Sequence, residues 1–263
     1  MVGNIYSIIT KNKNGNKKQF AILIDPDTVM PPLPVGHHPS REYPDRSPEI
    51  AEIAEAAQAA GVDYFFIGGS ILTNGNIENC IKTIKEKCSI PTILFPGSTL
   101  QIDNSADAIL LLSLISGRNP ELLIGKHVIA APILRSSSLE ILPTGYMLID
   151  CGNSTAVSYM SNTTPIPGDK SDIALCTAIA GELLGLKLIY MDGGSGASHP
   201  ISESMIKKVS QNISIPLIIG GGIKTPEEAI KSCKAGADVI VVGNAIENDT
   251  SLIKSIAEAI QSV

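Results

Sequence analysis

The sequence has no tryptophan, and aromatic residues make up only 4% of it. This shortage argues against single-stranded nucleic acid as a ligand, since proteins that bind it stack the bases on aromatic rings. Basic residues are also outnumbered, with 20 Lys and Arg against 26 Asp and Glu and a net charge of −6. Because nucleic-acid-binding domains usually carry a basic face, we expect no nucleic acid partner.

Long hydrophobic runs and paired cysteines are missing as well. The longest apolar runs, such as Ala108–Leu112, fall far short of the roughly 20 residues that a membrane helix needs, so no transmembrane segment is predicted. The N-terminus does not resemble a signal peptide, because Met1–Thr10 is short and the polar run Lys11–Gln19 follows it. Five scattered cysteines without a CxxC pair indicate reduced thiols. These features together predict a cytoplasmic protein.

Common metal and nucleotide signatures are absent too. His37 and His38 are adjacent in a proline-rich stretch, and with His127 and His199 they form no HxH or HExxH pattern. We therefore interpret the histidine pair as part of a solvated loop. No Ser-His-Asp or Cys-His set can be assembled, and no GxGxxG motif follows the first predicted strand, which argues against a Rossmann cofactor site.

The chain does contain short apolar runs that alternate with helical patterns. Hydrophobic residues make up 44% of its 263 residues, enough for a sizeable core in one domain over residues 1–263. The predicted strands are Phe20–Ile24, Val62–Ile67, Thr92–Phe95, Ala108–Leu112, Tyr146–Ile149, Leu186–Met191, Pro216–Ile219 and Val239–Val242. Eight such strands in a chain of this length predict an α/β fold, a (β/α)8 TIM barrel, with a doubly wound open sheet as the alternative.

The third connection is too short for a full crossover helix. About a dozen residues separate Phe95 from Ala108. This is the lower limit for a parallel connection, and it leaves little room for a helix together with its two loops. We expect a loop, or at most one helical turn, around Thr99–Ala106. Helices are predicted at Glu49–Ala60, Ile77–Lys87, Asn119–Ile129, Ser171–Leu184, Ser202–Ser210, from Thr225 onward and at Leu252–Ile260.

The sixth predicted strand ends in an acid. Asp192 follows the apolar run directly, and Gly193, Gly194, Ser195 and Gly196 come next. Barrel enzymes place their chemistry at the carboxyl ends of strands, and glycine allows a backbone to approach a ligand closely. Asp192 is therefore the candidate general base.

Two further glycine turns follow strands seven and eight. The loops at these positions of a barrel commonly hold a phosphate. Gly220-Gly221-Gly222 and Gly243-Asn244 stand there in register. We predict a phosphate site at these turns, which Ser195 and Gly196 could complete from the sixth loop.

Strands one and two end in oxygen-bearing side chains. Asp25 follows the first strand and Ser70 the second, and neighbouring strands bring such groups together. Mg2+ is normally bound by one or two carboxylates, waters and substrate phosphate oxygens. Asp25 and Ser70 are therefore the candidate metal ligands, while Asp27 is expected to cap the turn after Pro26.

Several long strings resemble the geranylgeranylglyceryl phosphate synthase family, which includes the bacterial heptaprenylglyceryl phosphate synthases. The resemblance covers essentially the whole chain. It is most specific in LLSLISGRNPELLIG (residues 111–125), LPTGYMLID (142–150), VSYMSNTTPIP (157–167) and YMDGGSGA (190–197). The tips Asp25-Pro26-Asp27, Gly68-Gly69-Ser70 and Phe95-Pro96-Gly97 also take part in it.

This resemblance implies a modified TIM barrel in which a loop or strand replaces the third helix. It implies a Mg2+-assisted prenyltransferase of ether lipid synthesis, in which the hydroxyl of sn-glycerol 1-phosphate attacks C1 of a polyprenyl diphosphate. Geranylgeranyl diphosphate is the expected donor, with a heptaprenyl or other chain as the alternative. A homo-oligomer, either dimer or hexamer, is implied as well. We also expect a transient membrane-surface contact for the lipid product.

The family's site residues match this chain position by position. Asp25 and Ser70 match its Mg2+ positions. Its glycerol phosphate contacts match Tyr190, Met191, Asp192, Gly193, Gly194, Ser195, Gly196, Gly221, Gly222, Gly243 and Asn244. The family often has Glu where this chain has Asp192. Because Asp is one methylene shorter, the base must lie closer to the hydroxyl or act through water.

Two regions concern the prenyl chain and the entrance to the site. The missing third helix would open an apolar groove near Leu100 and Ile102, with Tyr146 and Tyr159 as candidate lining residues. The proline-rich segment Met30–Arg46 is longer than is usual in the family. We consider it a lid that offers Arg41 and Arg46 to anions, or a disordered insert, and favour the insert.

Two other classes of function are compatible with the phosphate turns. One is a different phosphate-binding barrel enzyme, such as an isomerase or a flavin-dependent enzyme. It would need a second catalytic carboxylate or lysine at a strand end, which the sequence does not offer convincingly. The other is a protein that binds a phosphate ligand without catalysis.

Overall fold

In the computed structural model, which describes residues 4–29, 47–73 and 76–263, eight parallel strands close into a barrel. Each strand pairs with the next one in sequence, and the eighth pairs with the first. The strands are β1 (Gln19–Ile24), β2 (Tyr64–Ile67), β3 (Thr92–Leu94), β4 (Ala108–Leu114), β5 (Glu140–Leu148), β6 (Leu188–Asp192), β7 (Leu217–Gly220) and β8 (Val239–Val242). The predicted TIM barrel is confirmed, and the closure rules out the open doubly wound sheet.

Helices surround the strands. They are α1 (Ile5–Asn14), α2 (Pro26–Val29), α3 (Ser47–Ala60), α4 (Ile77–Lys87), α5 (Lys126–Ser136), α6 (Ala156–Ser161), α7 (Ser171–Leu183), α8 (Glu203–Ser210), α9 (Pro226–Ala235), α10 (Asn244–Asn248) and α11 (Leu252–Gln261). A π-helix over Glu121–Gly125 leads directly into α5. Residues 30–46, with His37, His38, Arg41 and Arg46, lie outside the described residues, so the interpretations of that segment remain predictions.

The predicted replacement of the third helix is confirmed. Only a short 3-10 helix, Thr99–Gln101, lies between β3 and β4. The side chain of Gln101 is buried there and fastens two loops. Its Nε2 donates to the carbonyl of Gly69 over 3.0 Å, and its Oε1 accepts from the amide of Gly97 over 3.0 Å. The loops after β2 and β3 are thereby held together without a helix.

Two predicted boundaries were wrong near the middle of the chain. Strand β5 begins at Glu140 rather than Tyr146. The prediction missed its first six residues because Pro143 and Gly145 interrupt the apolar pattern, although both residues pair with β4. The helix that follows β4 extends to Ser136 rather than Ile129. Proline normally disfavours a helix interior, but α5 contains Pro132.

The core has two layers. Side chains of alternating strand residues, such as Phe66, Leu110 and Ile218, fill the inside of the barrel. Their neighbours in sequence, such as Ile67 and Ile219, pack outward against the helices. This alternation follows from the two-residue period of a strand, and it decides which side chains reach the mouth of the barrel.

Helix α1 closes the amino-terminal end of the barrel. Its Ile5 and Ile9 are buried and belong to the inner cluster. Glu140, at the start of β5, accepts the amide protons of Ile5 and Tyr6 through its two oxygens, at 2.6 and 2.9 Å. A carboxylate at a helix N-terminus satisfies unpaired amides and complements the helix dipole. The opposite, carboxyl-terminal end is therefore the open one.

None of the helices in the described ranges is both long and apolar enough to cross a membrane.

Replacing Glu140 with alanine should destabilise the barrel through the loss of the cap on α1. Since hydrogen bonds to charged groups contribute roughly 1.5–3 kcal/mol, we expect the free energy of unfolding in urea to fall by about 2 kcal/mol. The matched control is Glu258→Ala on α11, where the carboxylate is 66% exposed. That change should cost less than about 0.5 kcal/mol. Equal costs for the two variants would contradict the capping role.

Candidate active site

A cavity of about 1050 Å³ opens at the carboxyl-terminal mouth of the barrel. Most of the predicted site residues line it, namely Asp25, Ser70, Tyr190, Asp192, Gly194, Ser195, Gly196, Gly221, Gly222, Gly243 and Asn244. Met191 and Gly193 are the two exceptions. The Met191 side chain is fully buried in the outer core layer, because it alternates with Tyr190 along β6. Gly193 lies against Cys151, which occupies the place of a side chain there.

Asp192 is the last residue of β6 and is only 7% exposed. The hydroxyl of Tyr146 donates to its Oδ2 over 2.5 Å, and the amide of Gly194 donates to its Oδ1 over 2.8 Å. Burial raises the pKa of the Asp192 carboxyl above its usual range, and the two hydrogen bonds oppose that rise. The result is a buried carboxylate in a fixed orientation, with lone pairs left to accept a proton.

Tyr146 lies on β5, directly opposite Tyr190 in the strand register. Burial and the charge of Asp192 raise the pKa of its phenol well above the usual value, so Tyr146 stays protonated and remains a donor. Its ring lies 5.5 Å from that of Tyr190 and 5.8 Å from that of Phe95. Phe95 and Tyr190 are stacked at 5.3 Å. The carboxylate of Asp192 is thus bordered by aromatic rings inside the barrel.

The glycine turns after β7 and β8 lie beside Asp192. Gly221 and Gly222 have φ angles of +81° and +76°, which favour glycine. A Cβ atom on Gly221 would lie 2.7 Å from Oδ1 of Asp192, so the turn can approach the acid only because it lacks a side chain. Ser195 Oγ donates to Oδ1 of Asn244 over 3.2 Å and joins the sixth loop to the eighth. Three turns therefore converge next to Asp192.

Asp25 follows β1, which pairs with β8, so it lies beside the eighth-strand turn. A Cβ atom on Gly69 would be 2.8 Å from its Oδ2, which places the loop that carries Ser70 against this carboxylate. Its Oδ1 accepts the amide proton of Asp27 over 3.0 Å. Burial raises the pKa of the Asp25 carboxyl, and the charge of Asp27 adds to the rise.

Asp27 bonds to a residue outside its own turn. Its Oδ2 accepts from the amide and hydroxyl of Thr73, at 2.5 and 2.8 Å. The acceptor within the turn is instead Oδ1 of Asp25. Asp27 therefore ties the loop after β2 to the loop after β1.

Glu247 on α10 is a site residue that the sequence did not suggest. Its Oε1 accepts the amide proton of Asp25 over 3.1 Å, and its side chain lines the cavity. Burial raises the pKa of its carboxyl, and Asp25 contributes to the rise. Its place shortly after the glycine turn of strand eight could have suggested a role in the site. Acidic residues are, however, common at the start of any helix, because they complement the helix dipole.

The donor set at Asp25 suits a hard cation that a substrate helps to bind. In the part of the chain that the structure describes, no group of three His, Cys, Asp or Glu side chains is placed to hold a metal ion by itself. Asp25 makes no ion pair with a basic side chain there either. One carboxylate and a hydroxyl would leave several positions for water and phosphate oxygens, which is the usual arrangement for Mg2+.

The cavity continues into an apolar groove where the third helix is missing. Its wall is formed by Leu100, Ile102, Leu112, Leu122, Ala130, Leu134 and Met160. Of the two tyrosines expected here, Tyr146 lines the cavity. Tyr159 does not, because its side chain is 85% exposed on α6 and the next residue, Met160, faces the groove instead. His127 also lines the groove, with Nε2 bonded to the carbonyl of Leu112 at 2.9 Å.

Comparisons with known proteins identify relatives of this chain. The chain matches the PcrB family over residues 39–260. It is 52% identical to a geranylgeranylglyceryl phosphate synthase of Chitinophaga pinensis over 100% of this chain and 98% of the relative. It is 37% identical to one of Pyrococcus horikoshii, over 95% and 92% of the two chains.

A solved structure of a related enzyme has the same fold. The crystal structure of (S)-3-O-geranylgeranylglyceryl phosphate synthase from Thermoplasma acidophilum, in complex with sn-glycerol-1-phosphate, superimposes with a TM-score of 0.87. Its sequence is 33% identical, and the superposition covers 99% of both chains.

Removing the hydroxyl of Tyr146 should raise the pKa of Asp192 further. In Tyr146→Phe the carboxylate loses one of the two hydrogen bonds that oppose the effect of burial, so protonation becomes easier. NMR titration of the Asp192 carboxyl carbon measures this shift. Tyr190→Phe is the matched control, since Asp192 receives its bond from Tyr146. An equal pKa in wild type and Tyr146→Phe would show that the bond does not tune the acid.

Proposed function

The chain belongs to the PcrB family, and from this premise we propose that it is a prenyltransferase of ether lipid synthesis. It joins sn-glycerol 1-phosphate to geranylgeranyl diphosphate through an ether bond. The oxygen of the glycerol hydroxyl forms a bond to C1 of the prenyl chain, the bond from C1 to the diphosphate oxygen breaks, and the hydroxyl proton leaves. The observation that carries this proposal is the buried Asp192. It lies between an apolar groove and the glycine turns after β6, β7 and β8, which together form the phosphate cradle.

Asp192 takes the hydroxyl proton in this proposal. A carboxylate within hydrogen-bond reach of a nucleophile is suited to general base catalysis, and a raised pKa brings its basicity closer to the operating pH. Tyr146 and Gly194 hold the carboxylate in one orientation. Activity should therefore fall as the pH falls through the raised pKa of Asp192, because only the ionised form accepts a proton.

The three glycine turns hold the phosphate of the glycerol substrate. Gly221 and Gly222 from the seventh turn, Gly243-Asn244 from the eighth and Ser195-Gly196 from the sixth surround one side of the mouth. Backbone amides in such turns are neutral donors that bind phosphate oxygens. Because Gly221 also contacts Asp192, a phosphate held there leaves the glycerol hydroxyl near the base.

Asp25 and Ser70, after β1 and β2, would hold Mg2+ next to these turns. The cation, when bound, neutralises negative charge on the diphosphate leaving group and so favours its departure. The carboxylate of Asp25 and the hydroxyl of Ser70 both border the cavity. Gly69 gives them room, since any side chain at that position would collide with Asp25.

The apolar groove takes the prenyl chain. It begins beside the aromatic rings of Phe95 and Tyr146 and continues past Leu112 to Leu134. Aromatic faces carry partial negative charge, so they suit the allylic carbon as positive charge develops on it. A heptaprenyl or another chain length is the alternative donor. Leu100 is 93% exposed at the groove, which supports a transient contact with a membrane surface that accepts the product.

We place this activity in the cytoplasm and assign it to a homo-oligomer, a dimer or a hexamer. The five free cysteines fit a reducing compartment. Exposed apolar side chains on α5 and α7, which follow the neighbouring strands β4 and β5, offer a surface for subunit contact. They are Val128, Ile129, Ile133, Ile173 and Leu183.

The direct test incubates the protein with Mg2+, sn-glycerol 1-phosphate and farnesyl, geranylgeranyl or heptaprenyl diphosphate. We expect prenylglyceryl phosphate and diphosphate as products, with geranylgeranyl diphosphate as the best donor. Glycerol 3-phosphate is the stereochemical control and should react poorly. Absence of an ether product with every donor would refute the proposal.

Asp192→Asn should separate catalysis from binding. The substitution keeps the size of the side chain but removes the base, so turnover should fall by roughly 10²–10⁴-fold. The affinity for sn-glycerol 1-phosphate, measured by calorimetry, should fall far less than turnover, because the glycine turns still hold the phosphate. A variant that keeps full turnover would exclude Asp192 as the base. A protein that binds the phosphate ligand without any turnover, in the wild type as well, would indicate a binding function only.

A further inference from the structure

Asp25 and Glu247 come from opposite ends of the chain, and the carboxylate of Glu247 contacts the backbone of Asp25 at the mouth of the barrel. Glu247 Oε1 accepts the backbone amide proton of Asp25 over 3.1 Å, and both side chains line the cavity. The hydroxyl of Thr28 also hydrogen-bonds to Glu247. Neither carboxylate is ion-paired to a Lys, Arg or His of the described ranges.

The carboxylate of Glu247 lies near enough to Asp25 to experience its charge, and a positive charge between them would be favourable. Carboxylates at close range repel each other, and partial burial increases the cost. Both side chains nevertheless border open space, since Asp25 and Glu247 line the cavity. Space beside two carboxylates without a basic partner suits a divalent cation with its water and phosphate ligands.

We propose that Glu247 is a positioning residue of the cation site: its carboxylate supplies a second negative charge for Mg2+ and holds the backbone of Asp25 in place. This inference rests on the proposed function, because it concerns the cation that accompanies the diphosphate.

The position of Glu247 adds a connection between the two substrates. Asn244, on the same short helix α10, is bonded to Ser195 in the phosphate cradle. Glu247 is bonded to Asp25 at the cation site. Helix α10 therefore contacts both the phosphate turns and the proposed cation site.

Glu247→Gln distinguishes a role of the charge from a role of the hydrogen bond. Glutamine keeps an Oε1 that accepts the amide proton of Asp25 and has nearly the same size, but it removes the negative charge. We expect the affinity for Mg2+ in the presence of inorganic diphosphate, measured by calorimetry, to fall by roughly 10–100-fold, the usual effect of losing a partner next to a metal site. Glu247→Asp keeps the charge and should retain more of the affinity than Glu247→Gln.

Three comparisons make the outcome decisive. Glu258→Gln removes the same charge from an exposed position on α11 and should leave cation binding unchanged. Asp25→Asn should weaken cation binding at least as strongly as Glu247→Gln. The melting temperature and the affinity for sn-glycerol 1-phosphate, measured for Glu247→Gln, show whether the variant is folded.

Unchanged cation affinity in a folded Glu247→Gln variant would overturn the inference, since the hydrogen bond alone would then explain the residue. Unchanged affinity in Asp25→Asn would overturn it as well. If the wild type binds Mg2+ with diphosphate in a Glu247-dependent way but forms no ether product, the proposed function fails while the role of Glu247 in cation binding stands.

Discussion

Asp192 ends β6 in a position with 7% exposure, and the barrel around it is arranged to keep its carboxylate hydrogen-bonded there. A buried carboxylate without partners would be too costly to remain ionised. Tyr146 from β5 and Gly194 from the following loop supply those partners. On the β7 side, Gly221 can lie against the carboxylate only because it has no side chain. The register of three neighbouring strands, β5 to β7, thus determines the properties of one acid.

The rest of the mouth is ordered around this acid. The phosphate cradle occupies the turns after β6, β7 and β8, and the carboxylates of Asp25 and Glu247 lie next to it, after β1 and β8. The groove opens after β3, where Gln101 fastens the loops that a helix would otherwise cover. The cradle thus brings the glycerol phosphate, and the groove the prenyl chain, to the carboxylate of Asp192.

Much of this arrangement can be predicted from the sequence, for identifiable reasons. Apolar runs mark buried strands, so seven of the eight strands were close to their observed positions, and the short interval before Ala108 revealed the missing helix. Strand β5 was placed too late because Pro143 and Gly145 conceal its pattern. The acid, the glycine turns, Asp25 and Ser70 lie at strand ends, and of the predicted site residues all except Met191 and Gly193 line the cavity. Two contacts could not be predicted from the spacing of residues along the sequence. The hydrogen bond from Tyr146 to Asp192 depends on the register of β5 and β6, and the contact of Glu247 with Asp25 depends on the orientation of helix α10.

A crystal structure of the protein with sn-glycerol 1-phosphate tests the placement of the base most directly. We predict the phosphate between Gly221-Gly222 and Gly243-Asn244, with a glycerol hydroxyl within hydrogen-bond distance of the Asp192 carboxylate. A phosphate bound in these turns with every hydroxyl directed away from Asp192 would contradict its role as the base.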